Sequence, residues 1–225
     1  MYKRQGSDFP ELEGILKQIS DQGIGSVTKQ QETRLKNWRR KASELRSAWK
    51  LFDRDHEVPK DFATFVWAFG KLNDAIENDL PDMGIEYVAK ILNGATFADL
   101  ASRVQTFRAA EPKTVLGKVI ENLRKVDLIM QGETVTVSEF HDVRKLMKDI
   151  MNFYKLRSAT RLSAEVYATA DWLHRLNKKL GDLHDDWLAS ALQGQINYHE
   201  HRVAFPPDIA RDIREFLSVA HGQPL

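Results

Sequence analysis

Two stretches of this chain carry positive side chains at the spacing that lines them up along a helix. Lys36, Arg39, Ser43, Arg46 and Lys50 follow one another at intervals of three and four, as do His141, Arg144, Lys148, Met151 and Lys155. At ~100° per residue, each set falls within a sector of about 80°. Leu35, Trp38, Ala42, Leu45 and Trp49 fill the adjoining sector of the first stretch, and Phe140, Val143, Met147, Ile150 and Tyr154 that of the second. Each helix then buries one stripe and carries cations along its edge. A cation there packs its stem on apolar surface, and its pull on an anion is screened less than at a fully exposed site. Arginine offers bidentate contacts to phosphate or carboxylate oxygens, and lysine a mobile point charge. On the wheel Glu44, Asp142 and Asp149 point away from the stripes, so both stripes are expected to lack local counter-charge. Turned toward one groove, they call for a polyanion to fill it.

The two stretches are also related in order. Lys36 aligns with His141, Arg39 with Arg144, Arg40 with Lys145, Lys50 with Lys155 and Leu51 with Leu156, all at an offset of 105. Downstream, Phe69-Gly70-Lys71-Leu72-Asn73-Asp74 matches Leu180-Gly181-Asp182-Leu183-His184-Asp185 at an offset of 111. An inter-helix loop absorbs the difference. A repeated unit of this size predicts two related helical halves, about 9–110 and 111–222.

These motifs resemble those of the CHAD domain, the conserved histidine α-helical domain. The resemblance rests on His141, Arg144 and Lys148 followed by Leu180-Gly181-Asp182-Leu183-His184-Asp185. In the first half it rests on Arg39, Arg46 and Lys50-Leu51-Phe52, then Gly70-Lys71-Leu72-Asn73-Asp74. It spans about 30–220. Where the family's first repeat has its histidine this chain has Lys36. No basic residue stands at Ser43 or Glu44, and Met151 replaces an arginine. The resemblance implies two pseudo-symmetric four-helix-bundle-like halves packed as one helical domain, binding inorganic polyphosphate through a basic surface and associating with polyphosphate granules. The residues it marks for that surface are Lys36, Arg39, Arg40, Arg46, Lys50, His141, Arg144, Lys145, Lys148 and Lys155.

The elements that must position these residues are helical. Seven prolines and twelve glycines punctuate 225 residues, and between them apolar residues recur three and four apart. The pattern predicts helices over 9–22, 29–53, 60–78, 82–92, 97–110, 113–129, 137–157, 162–181, 183–196 and 207–220, an all-α protein. Residues 1–28 are read as an N-terminal helix and loop joined to the first half, 29–110 as the first repeat and 111–225 as the second. His56-Glu57-Val58-Pro59 separates two helices, since the residue before proline avoids the α region. Ser138 with Glu139 is read as a helix start. Four of the five tryptophans lie among apolar helical neighbours and, with the run Phe62, Phe65, Val66 and Phe69, read as core.

Composition narrows the functions. The absence of cysteine excludes disulfides, thiolate metal sites and a cysteine nucleophile. No apolar run reaches the ~20 residues that span a bilayer, and Met1–Gln5 leads into polar residues rather than a signal-peptide core. A cytoplasmic chain with no membrane association is expected. Lysine and arginine number 33 against 32 acids, so any basic surface must arise by segregation. No Gly-x-x-x-x-Gly-Lys-[Ser/Thr] phosphate loop is present, and His199-Glu200-His201 lacks the third spaced ligand of a metal site. The sequence therefore points to a binding module that needs no cofactor. Three alternatives remain open: a nucleic-acid-binding helical protein, a metal-dependent enzyme of phosphate or polyphosphate metabolism using Asp74 and Asp185, and an adaptor for an acidic protein. The two aspartates are also read as ion-pair partners that orient arginines of the repeated helices.

Overall fold

The computed structural model describes residues 8–94, 97–160 and 163–222, and the chain divides into two compact units at Ala110/Glu111. The first seven residues of the predicted N-terminal segment, and the predicted helix start at Leu162, lie outside the described residues. The first unit contains α1 (Asp8–Gln22), α2 (Lys29–Phe52), α3 (Lys60–Glu77), α4 (Pro81–Leu92) and α5 (Phe97–Val104). The second contains α6 (Pro112–Met130), β1 (Val135–Thr136), α7 (Val137–Thr160), α8 (Ala164–Leu192), β2 (Arg202–Val203) and α9 (Pro207–Gly222). The protein is all-α.

In the first unit α1 lays Leu12, Leu16 and Ile19 against Leu35 of α2, Phe69 and Leu72 of α3, and Val88 of α4. A second cluster joins Ala42 and Trp49 of α2 to Phe62 and Val66 of α3. The α2 start is set by a capping box: Thr28 Oγ1 accepts from the Gln31 N–H, and the Gln31 side chain accepts from the Thr28 N–H. This satisfies two of the amides that a helix start leaves without partners. A turn of 3₁₀ helix at Ile24–Ser26 joins α1 to α2, entered through Gly23 at φ 81°, a conformation that costs glycine little. The predicted helix over 97–110 stops at Val104. Beyond it the backbone extends so that Ala109 bridges Asp53, with Arg54 N–H donating to Arg108 C=O and Ala110 N–H to Phe52 C=O.

The second unit buries Val119, Leu123 and Val126 of α6, Phe140, Val143, Met147 and Ile150 of α7, Leu173, Leu176 and Leu180 of α8, and Ile213 and Leu217 of α9. Helix α7 begins at Val137, where the predicted range begins, and its start signal is Thr136 with Glu139 rather than Ser138 with Glu139. Thr136 Oγ1 accepts from the Glu139 N–H at 3.1 Å, and the Glu139 carboxylate accepts from the Thr136 N–H at 2.7 Å. Thr136 also belongs to a two-residue antiparallel ladder, Val135 opposite Val203 and Thr136 opposite Arg202. That ladder is too short to show as alternation in the sequence. Two predicted helices, 162–181 and 183–196, are one continuous α8. Gly181 does not break it, and its lack of a side chain serves a neighbour instead.

Candidate anion-binding site

In the first unit the cationic edge of α2 lies beside α3, which carries acids. Arg39 Nη1 stands 3.2 Å from Asp74 Oδ1, and Lys71 Nζ approaches the other carboxylate oxygen at 4.0 Å. The Asp74 side chain is 9% exposed and that of Arg39 is 37% exposed. Two cations therefore share one buried carboxylate, and the guanidinium keeps a solvent-facing side. Arg39 lies against Gly70, one turn before Asp74, where a Cβ would make ordinary contact at 3.8 Å from Arg39 Nε. Lys36 bridges Glu32 at 2.7 Å and Glu77 at 3.0 Å. The hydrogen bond to Glu32, with a lesser one to Glu77, pushes the Lys36 ammonium up from its usual value despite some desolvation. Lys29 and Lys36 together hold the Glu32 carboxyl below its usual value. Arg40 is exposed, while Arg46 and Lys50 are half-buried.

In the second unit an arginine again lies against a glycine and an aspartate of the next helix, with different neighbours around it. Arg144 Nη1 lies 3.6 Å from Asp185 Oδ1 and 3.2 Å from His184 Nδ1. Its guanidinium rests over Gly181, where a Cβ would come within 3.3 Å of Nη2. His141 stacks on His184 with ring centroids 4.3 Å apart. His184 is buried, and its Nε2 meets the Tyr198 hydroxyl at 2.9 Å. Lys145 pairs with Asp142 at 3.0 Å. Lys148 is half-buried and Lys155 exposed. Met151, on the same stripe, is core, so the basic edge of α7 is interrupted in its middle.

The stripes thus do not lack counter-charge. Part of it comes from the same helix, Glu32 reaching Lys36 and Asp142, expected to point away, reaching Lys145; Asp74, Glu77 and Asp185 arrive from the next helix, which a helical wheel does not show. The reading of Asp74 and Asp185 as partners that orient the arginines fits these contacts, and engagement with guanidinium leaves the two carboxylates poorly suited to hold magnesium. Among the described residues no group of three histidines or carboxylates is placed to hold a metal ion. His199 and His201 are exposed in the turn before β2, where the His201 carbonyl accepts from the Val137 N–H.

Four participants escaped the sequence reading as such: Lys71, the two glycines as seats for guanidinium, and Tyr198. The glycines were visible as part of the aligned segments, although their role was not. Tyr198 carried no signal, because it reaches the site through the β1–β2 pairing that folds residues 197–203 onto the start of α7. Its carbonyl accepts from the Ser138 N–H at 3.2 Å.

An open recess of about 450 Å³ lies elsewhere in the first unit, lined by Trp49, Asp53, Asp55, Lys60 and Arg108 among others. Asp53 there already accepts from the Asp55 and Arg108 amides, at 3.0 Å each, so it fastens a turn. Among the described residues no helix is long and apolar enough to cross a membrane. No family model matches the chain, and neither do the curated proteins or the solved structures.

Proposed function

We propose that this chain is a CHAD-like binding module for inorganic polyphosphate, held through the cationic edges of α2 and α7. The observation that carries the reading is the recurrence of one arrangement. In each unit an arginine of the basic edge lies against a glycine of the next helix and is oriented by the aspartate four residues further on. On this reading the two units are related repeats. An arginine whose direction is fixed by one acid loses less side-chain freedom when its remaining N–H groups meet a phosphate. Lysines spaced along the same helix add point charges at a rise of ~5.4 Å per turn. Polyphosphate offers no bases to read, so recognition rests on oxygens and charge alone. Association with polyphosphate granules in the cytoplasm follows from the same reading.

The test neutralises two exposed and two half-buried cations of the edges. In R40Q/K50Q/K148Q/K155Q, filter binding with long-chain polyphosphate is expected to show affinity lower by about tenfold or more. The slope of log affinity against log salt should become shallower, since each phosphate contact removed releases fewer counterions. A folded quadruple variant with unchanged affinity and slope defeats the proposal. RNA offered in competition separates the nucleic-acid alternative: polyphosphate should displace it at far lower phosphate concentration.

A further inference from the structure

His184 is the most enclosed titratable side chain of the anion site, with 5% of its surface exposed. The titratable and charged groups facing it come from three elements. Helix α7 contributes the His141 ring, stacked at 4.3 Å, and Arg144 Nη1, 3.2 Å from Nδ1. Helix α8 contributes Asp185 Oδ1, 3.1 Å from the same nitrogen. The segment before β2 contributes the Tyr198 hydroxyl, 2.9 Å from Nε2.

One ring nitrogen thus has two rival neighbours. A guanidinium only donates hydrogen bonds and an ionised carboxylate only accepts them. With a lone pair on Nδ1, His184 accepts from Arg144; with a proton there, it donates to Asp185. The two contacts cannot both be hydrogen bonds at once. Tyr198 does not force the choice, because a hydroxyl can accept from Nε2–H or donate to bare Nε2. The choice is made at Nδ1.

We infer that His184 is a positioning residue for Arg144 whose protonation decides whether one N–H of that arginine is held or released. In the neutral ring the proton sits on Nε2, and Nδ1 accepts one Arg144 N–H, holding the guanidinium over Gly181. Taking up one proton from water makes the ring an imidazolium. Its Nδ1–H then donates to Asp185, and the one Arg144 N–H that Nδ1 had accepted is freed for an anion, the guanidinium keeping its place over Gly181. His141, stacked alongside, opposes a second charge beside the first. The binding consequence rests on the polyphosphate reading above, whereas the ring state does not.

The experiment therefore has two arms, both on the full chain. Nitrogen-15 NMR of the imidazoles at about pH 8, well above the ordinary histidine range, should show His184 with a bare Nδ1 and a protonated Nε2, the signal being assigned by its loss in H184Q. In R144M, which has no donor to offer, the proton should move to Nδ1 beside Asp185. A wild-type ring already carrying Nδ1–H, or a signature unchanged in R144M, overturns the inference whatever the protein binds. In the second arm, polyphosphate affinity is followed from about pH 8 to about pH 5.5. The wild type should gain about tenfold, the worth of one charge-assisted contact. H184Q, whose amide oxygen accepts from Arg144 at every pH, should lose that gain, and R144M should lose it too. A gain surviving in R144M shows His184 acting only as an added charge and overturns the release step. If no polyphosphate binds at any pH, the function proposed above fails, and the positioning claim stands or falls on the ring signature alone.

Discussion

Arg39 and Arg144 each lie against a glycine of the next helix, yet their seats differ by half an ångström, and that difference has a measurable sign. A methyl group at position 70 would meet Arg39 Nε at 3.8 Å, ordinary van der Waals contact. At position 181 it would meet Arg144 Nη2 at 3.3 Å, tighter than an ordinary contact, with Nε at 3.5 Å and Cζ at 3.6 Å, so the Nη2 end of the guanidinium has to give by a few tenths of an ångström. Alanine in a helix interior is favoured over glycine by about 0.5–1 kcal/mol. G70A should therefore stabilise the protein by up to about that amount, and G181A by clearly less, with Arg144 displaced from His184. Urea denaturation of the two variants decides it, and equal gains would mean that Arg144 does not lie on Gly181. The spacing of Arg39 and Arg144 was readable because helical periodicity is a local property. Their acids were half-readable, as members of an aligned segment with no stated direction. Tyr198 was unreadable: 54 residues separate it from Arg144 in the chain, and only a two-residue ladder brings it back.

Helix boundaries divide along the same line between local and tertiary causes. Proline and capping signals placed α3 and α9 within two residues at each end, because a fixed φ and a missing N–H act where they stand. The predicted break between 181 and 183 is absent: glycine permits a break without requiring one, and at Gly181 the guanidinium of another helix lies against the backbone. Helix α5 ended early because residues 108–110 pair with 52–54, a partner half the unit away in sequence. On α6 the forces are local and give a pH dependence. Lys125 at 2.5 Å and Lys118 at 2.9 Å both hydrogen-bond Glu121, and their bonds, Lys125 first, hold its carboxyl down at about 2. A carboxyl depressed on folding adds stability that is complete above its unfolded value of 4.5 and fades as pH falls toward about 2. The pairs are solvent-screened, so their worth is about 0.5 kcal/mol rather than the full shift. Replacing both lysines, K118M/K125M, should cost about that much near neutrality and almost nothing at about pH 2. Acid-titrated thermal melts of the two proteins should converge, and a gap that persists at the acid end would show that the ammonium groups act otherwise than on the ionised carboxylate.

At the scale of the molecule, a formal charge of +1 removes one route to polyanion binding. A charge this small does little to concentrate phosphate near the chain, so on the proposed reading attraction comes from cations segregated on α2 and α7, screened beyond ~8–10 Å at moderate salt. Each unit carries one such edge, partly neutralised by the acids of its own neighbouring helix. Either edge alone then offers a handful of contacts and weak affinity. Strong binding would need one polyphosphate chain to engage both units, the second contact being made at the high effective concentration set by the first. Chain length becomes the deciding variable. Tripolyphosphate, which offers only a few phosphates, should bind weakly and independently at the two edges. A polymer of about a hundred phosphates should bind more tightly by well over tenfold at equal total phosphate. Disabling one edge, with K148Q/K155Q for α7, should abolish most of the polymer's advantage while leaving tripolyphosphate binding at the α2 edge in place. Calorimetry with the two ligands on the two proteins separates the cases. An advantage of the polymer that survives loss of the α7 edge would mean that the units do not act together, and the duplicated arginine seat would then serve the packing of each unit rather than a shared ligand.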